Sequence, residues 1–379
     1  MKFVIAPDSF KGSLTAKEAA VAMATGIRRV FPHADYQLVP MADGGEGTVQ
    51  ALVDATGGQT IQATVHDPFD RPAVASYGLL GDGKTAVIEM AAASGLQFVN
   101  DQNRNPLVTS TYGTGELILD AISRGVKQII IGLGGSATVD GGAGMAQALG
   151  VKLLDAAGDE LPHGGGALGR LARVDTSKLA PGLSRVKILL ASDVTNPLTG
   201  EQGAARVFGP QKGATPEMVA TLDKNLGHFS AVVKHDCGFS PANVAGAGAA
   251  GGLGFGLLAF TAAEIHRGVD LVLRFTDFAR QVAGADFVFT GEGQIDFQTQ
   301  FGKTPLGVSR LARRVVPGVP VIALAGSIGQ GMAALNDDFT AIFATPTGAK
   351  DLSQAIVDAS EDIAQTAESA ARLIKGCRK

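Results

Sequence analysis

The chain has 379 residues, 45% of them apolar and 18% charged, and carries a formal net charge of -4. That length exceeds one ordinary core and predicts two domains, while the composition excludes a disordered chain. The balance of charge excludes a broad basic surface for nucleic acid, and no stretch reaches the roughly 18 consecutive apolar residues of a membrane span.

The apolar run at the N-terminus is far too short for a signal peptide, so a cytoplasmic chain without a membrane partner is expected. Residues 3–6 read as a short buried strand that breaks at Pro7-Asp8-Ser9-Phe10-Lys11-Gly12. Ser13 or Thr15 can cap the next helix, with Glu18 completing a capping box from Thr15, and Ala19, Ala20, Met23, Ile27 and Val30 form its apolar face. Residues 36–41 are a strand ending in Ala42-Asp43-Gly44-Gly45-Glu46-Gly47-Thr48, and a helix over 48–56 follows. The runs 60–66, 73–79 and 85–90, joined by short turns, predict antiparallel strands. A helix near 115–123 leads to a strand at 128–132, which stops at Gly132-Leu133-Gly134-Gly135-Ser136-Ala137-Thr138. Another helix begins after Asp140-Gly141-Gly142. Strands are expected at 152–155 and 186–191, the second ending at Ser192-Asp193-Val194-Thr195-Asn196-Pro197. Two further glycine-rich stretches are Gly209-Pro210-Gln211-Lys212-Gly213 and the run 246–252. A strand at 287–290 precedes an expected loop, Gly291-Glu292-Gly293-Gln294-Ile295-Asp296, then a helix over 305–314, strands at 319–325 and 341–344, and an amphipathic helix over 353–375. Cys237 and Cys377 have neither metal nor redox spacing and are expected as free thiols.

Strands alternating with helices at both ends of the chain predict a parallel sheet covered on both faces, with ligands beyond the carboxyl ends of the strands. Residues 1–61 and 285–379 are expected to build one discontinuous α/β domain, into which 62–284 insert as a second α/β domain.

The loops predict phosphate chemistry. Glycines let backbone N–H groups approach phosphate oxygens, and neighbouring acids can hold Mg²⁺ or take a proton. Three glycines and two acids in the 43–48 loop cost stability that a structural turn would not require. The 134–144 stretch lacks the Gly-Lys-Ser/Thr ending of a Walker loop and the dinucleotide G-x-G-x-x-G spacing. Its successive N–H groups and the Ser136 and Thr138 hydroxyls can still cradle phosphate at a helix start, or the glycines can serve a close backbone crossing. Asp193 follows an apolar strand and can serve as base, Mg²⁺ ligand or turn cap. The histidines share no ligand spacing.

Taken together in this order, residues 4–14, 40–48, 134–138, 192–198, 208–213 and 290–293 resemble the signatures of the bacterial type 1 glycerate kinase family, with Phe10 where some relatives carry Tyr. The resemblance covers essentially the whole chain. It implies two α/β domains, one of them flavodoxin-like, with the active site in the inter-domain cleft, and transfer of the ATP γ-phosphoryl group to D-glycerate with Mg²⁺. In that setting Asp193 is the expected base, ahead of Asp43, with Lys11 also catalytic. Lys11, Lys212 or Arg71 would anchor the glycerate carboxylate, and Ser9, Gly134, Gly135, Ser136 and Thr138 would line the substrate site. Gly44, Gly45, Gly291, Glu292, Gly293 and Lys303 are expected at the nucleotide, and Asp296 at the metal. The partners expected are D-glycerate and ATP for a monomer or homodimer; the alternative is a non-catalytic sugar-phosphate or nucleotide sensor.

Overall fold

The structure is a computed structural model that describes residues 1–377. Its strands are, in chain order, β1 (Lys2–Ile5), β2 (Asp35–Leu38), β3 (Gln59–His66), β4 (Pro72–Leu79), β5 (Thr85–Glu89), β6 (Gln128–Gly132), β7 (Lys152–Leu154), β8 (Arg173–Asp175), β9 (Lys187–Ala191), β10 (Glu264–His266), β11 (Phe287–Ile295), β12 (Val321–Ile328) and β13 (Ala341–Ala344). Met1–Asp43, Gln50–Thr56 and Arg267–Lys379 make one compact unit; Gly44–Val49 and Gly57–His266 make a second. No helix among the described residues is long and apolar enough to cross a membrane.

The first unit holds a five-stranded sheet in the order β13-β12-β11-β1-β2, every pair parallel. Counted along the chain within this sheet, the order is 2-1-3-4-5, the flavodoxin-like doubly wound arrangement. The central strands β1, β11 and β12, apolar and largely buried on both faces, fit parallel pairing. Phe3, Ile5, Phe287, Phe289 and Leu324 form one core with Met23 and Ile27 of helix Ala16–Arg28 and Ile363 and Ala367 of helix Leu352–Cys377. The expected capping box is present: Glu18 N–H donates to Thr15 Oγ1 at 3.2 Å, and Thr15 N–H donates back to the Glu18 carboxylate at 2.9 Å.

The second unit holds a six-stranded mixed sheet in the order β10-β9-β6-β5-β4-β3 and a small β7-β8 hairpin. The expected antiparallel runs are β3, β4 and β5; from β5 through β6 and β9 to β10 the pairing is parallel. Helix Pro216–Cys237, which the sequence reading passed over, buries Leu222, Leu226, Phe229 and Val233 in this unit. Their 4-3-4 spacing is the signal that identifies it.

One expectation needs correction. The stretch 291–295 is strand rather than loop: β11 runs on through it, pairing Gly291 with Leu324 and Ile295 with Ile328. Gly291 permits this because any side chain there would collide with the Leu324 carbonyl. The compact units meet at 43/44, 49/50, 56/57 and 266/267. Residues 57–61 enter the second unit because β3 pairs with β4 along its whole length. Residues 267–284 enter the first because helix Gly268–Phe275 packs on helix Thr304–Val315, where Val269 and Leu273 would meet any side chain placed at Gly307.

Candidate active site

In the first unit the strand order reverses between β1 and β11, and polar groups converge at their carboxyl ends, where doubly wound sheets bind ligands. Asp8 leaves β1 with its N–H donated to the Gly291 carbonyl at 2.8 Å. Its carboxylate accepts from Thr304 Oγ1 at 2.5 Å and from the Ser9 N–H at 2.6 Å. Only 6% of Asp8 is exposed. Burial and then the Asp43 charge push its carboxyl up to about 7, with Glu292 adding to the rise. Glu292 is raised as well, first by burial, although Lys303 Nζ lies 3.3 Å away and Thr299 Oγ1 donates to it at 3.0 Å. Lys11 Nζ stands 3.8 Å from Asp43 on a largely exposed side chain. Lys303 and Thr304 also open helix Thr304–Val315, whose first N–H groups and dipole favour an anion. Three mutually repelling carboxylates, two lysines and a helix start therefore meet within one unit. Asp296 lies at the end of β11 with its carboxylate accepting from Gln294 Nε2 at 2.8 Å.

The second unit builds a different environment at the carboxyl ends of β6 and β9, which are adjacent. Lys212 is buried, and its Nζ donates to Ser136 Oγ at 2.6 Å and to the Thr138 carbonyl at 2.7 Å. Burial drives its ammonium down to about 7, partly offset by Asp140. Asp140 is itself buried; it accepts from Thr111 N–H and Oγ1 at 2.9 and 2.8 Å and from the N–H groups of Gly142 and Gly144 at 3.1 and 3.2 Å. These bonds set the path of the glycine-rich loop into helix Ala143–Ala148. The Thr138 hydroxyl is buried with no partner, a cost that buried polar groups seldom carry. Gly134 approaches Gly45. Glu89, raised by burial, accepts from the Val49 N–H at 2.9 Å and so secures the end of the Gly44–Val49 segment.

The expected site residues thus fall into two groups. Ser9, Lys11, Asp43, Gly291, Glu292, Gly293, Lys303 and Asp296 lie in the first unit; Gly44, Gly45, Gly134, Gly135, Ser136, Thr138, Lys212, Arg71 and Asp193 lie in the second. The set expected at the nucleotide is divided between them. Arg71 is engaged in its own turn: its guanidinium pairs with Asp67 at 2.7 Å and lies over the Phe69 ring. Asp193 follows β9 with an exposed side chain. The glycines at 246–252 serve backbone approach, since a side chain at Gly251 would strike the Thr138 carbonyl. Asp8, Thr304 and Asp140 were not singled out in the sequence. Asp8 was detectable as the first acid after a buried strand, whereas Asp140 and Thr304 stand out only through their partners.

A family model described as the glycerate kinase family matches residues 3–375. A glycerate kinase from Halalkalibacterium halodurans is 57% identical, over 88% of this chain and 87% of its own length. A glycerate 2-kinase from Escherichia coli is 48% identical, over 100% of this chain and 99% of its own. The crystal structure of a candidate glycerate kinase 2 from Salmonella typhimurium LT2 superposes with a TM-score of 0.91 at 47% identity, covering 100% of this chain and 99% of that one. With likeness of this extent, running through both groups of site residues, the chain belongs to the glycerate kinase family.

Proposed function

We propose that this chain is an ATP-dependent glycerate kinase that transfers the γ-phosphoryl group to a hydroxyl of D-glycerate, giving phosphoglycerate and ADP. The observation that carries this reading is full-length likeness to glycerate kinases in a chain whose buried ionisable groups suit the two substrates. Phosphoryl transfer asks the protein chiefly to position the reactants and stabilise charge.

The lysine loop suits glycerate. A buried ammonium with one proton left over from Ser136 and Thr138 is a strong anchor for a carboxylate, because little solvent screens it. Ser136, the N–H groups of Gly134 and Gly135, and the unpartnered Thr138 hydroxyl complete that cradle. Asp193, just past the end of β9, takes the proton from the attacking hydroxyl.

The acid cluster suits the nucleotide phosphates. The N-terminus of helix Thr304–Val315 and the side chains of Lys11 and Lys303 face negative charge favourably. Among the described residues no three His, Cys, Asp or Glu side chains converge to hold a metal unaided. Mg²⁺ needs only one or two carboxylates, the rest of its octahedron coming from phosphate and water. Asp8, Asp43 and Glu292 outnumber the two lysines beside them and repel one another, an excess of negative charge that such an ion relieves, so the residues present fit it. Asp43 and Glu292 would hold Mg²⁺, which neutralises phosphate charge when bound; Asp296, already accepting from Gln294, is the weaker donor.

We place transfer at the 2-hydroxyl, the position in the name of the Escherichia coli relative. The test is incubation with ATP, Mg²⁺ and D-glycerate followed by phosphorus and proton NMR of the product. Phosphorylated carbon 2 is expected. The 3-phosphate would overturn the position, and binding of ATP and glycerate without any ADP release would favour the sensor.

A further inference from the structure

Helices Gly268–Phe275 and Thr304–Val315 touch at Gly307, where the absence of a side chain admits Val269 and Leu273. Beside that contact they leave a cavity of about 480 Å³ that Gly307 and Leu273 help to line. It is lined by Leu273, Leu306 and Leu311, by the four arginines Arg267, Arg274, Arg310 and Arg314, and by Asp270 and Asp277. Asp277 is shared with Arg280 at 3.9 Å, and Arg310 is engaged by Asp338 at 3.1 Å. Arg274 lies over the Phe275 ring, and among the described residues neither it nor Arg314 has a carboxylate within ion-pair distance. The spacing on each helix, 267-270-274 on one and 307-310-314 on the other, turns these groups to the same space.

We propose that this cavity is a second, regulatory site for a phosphorylated organic metabolite of at least two negative charges. Arg274 and Arg314, which among the described residues have no carboxylate partner, offer two planar forks of N–H donors that match phosphate geometry, as lysines at the same positions would not. The volume is that of a metabolite site, and the leucine lining favours a carbon skeleton over a bare inorganic ion. The cavity is connected to the acid cluster through its own walls. Arg267 lies directly against Gly302, where any side chain would collide with the guanidinium. Gly302 precedes Lys303, the ion-pair partner of Glu292, and Thr304 of the same helix bonds Asp8. A ligand that draws Arg267 and the helix toward itself shifts the groups assigned to the nucleotide; this last step rests on the kinase reading, the binding does not.

The experiment is isothermal titration calorimetry of the whole chain, free of Mg²⁺ and nucleotide, with ribose 5-phosphate and with inorganic phosphate as probes. Ribose 5-phosphate should bind at submillimolar concentration and at least tenfold more tightly than inorganic phosphate. Arg274→Ala/Arg314→Ala, two exposed changes, should weaken it at least tenfold, while Lys212→Met leaves it intact. Asp270→Asn, removing an opposing charge, should tighten it about two- to fivefold. In the wild type ribose 5-phosphate should also change the KM for ATP at least twofold, and in the double variant it should not. No binding, equal binding of the two probes, or binding that the double variant retains would overturn the site. Binding without any kinetic change would overturn the regulatory role, and loss of all turnover on glycerate would strike the kinase reading while leaving the calorimetry decisive.

Discussion

The acid cluster of the first unit and the lysine loop of the second are opposite solutions to one electrostatic problem. Each buries ionisable groups at the carboxyl ends of parallel strands, and in each burial is the largest cause of the shift. Burial raises Asp8 to about 7, and the like charges of Asp43 and then Glu292 add to the rise. Burial lowers Lys212 to about 7, a fall that Asp140 only partly offsets, while its hydrogen-bond partners, Ser136 and the Thr138 carbonyl, are neutral. A carboxyl and an ammonium thus come to titrate in the same range from opposite sides. The contrast teaches that neither cluster is complete on its own: excess negative charge suits a cation and its phosphates, and an ammonium without a carboxylate in contact suits an anion.

The comparison breaks most clearly at Asp193. Asp193→Asn should lower kcat about 10²–10⁴-fold with little change in either KM, since a base acts only in the transition state. A kcat within about threefold of wild type would return Asp193 to the role of turn cap. The same substitution at Asp43 is the control, and a dead Asp43 variant beside an active Asp193 variant would move the base into the acid cluster.

Lys212→Met should raise the KM for glycerate about 10²-fold and leave the KM for ATP unchanged, as expected for loss of a buried charge-assisted anchor. Its pH dependence has a definite sign. With a folded value near 7 and an ordinary unfolded value of 10.5, the unfolded chain holds the extra proton between them. Wild-type stability therefore carries the full penalty below pH 7 and recovers as pH rises toward 10.5, by up to about 1.4 kcal/mol per pH unit. Denaturant melts of both proteins from pH 6 to 10 test this; a variant that keeps the wild-type slope would show that Lys212 is not its source. The KM of the wild type for glycerate should also climb above pH 7 as the ammonium is lost.

The smallest effect sharpens the division of labour. Glu292→Gln should raise the Mg²⁺ and ATP requirement about tenfold, about 1.4 kcal/mol, with glycerate KM within about twofold. A glycerate defect larger than the ATP defect would erase the distinction between the two regions.

Much of this arrangement is legible in the residues alone. Apolar runs buried on both faces read as parallel strands, and the Thr15–Glu18 capping box and the helix Thr48–Thr56 follow from local chemistry. Local signals also mark the acid-glycine loops after β2 and β6 and the Asp193 turn after β9, because a strand that stops at glycine, aspartate or proline has a pattern independent of its neighbours. What local signals cannot carry is partnership. Gly291-Glu292-Gly293 has the composition of a loop and becomes strand because β12 supplies hydrogen bonds along it. Arg71 and Lys212 are both cations in turns, yet Asp67 takes the first and burial beside Ser136 isolates the second. Asp8 acquires its raised carboxyl only when the fold buries it and brings Asp43 and, more weakly, Glu292 near it, against the lowering effect of the Thr304 hydrogen bond. The sequence by itself determined most of the strands, the capping box and where glycine and acid residues end a strand, since these depend on neighbours a few residues away. Which charges are buried, and which are left facing their own kind, was decided by the tertiary structure, because desolvation and Coulomb energies depend on distances that only the folded chain sets.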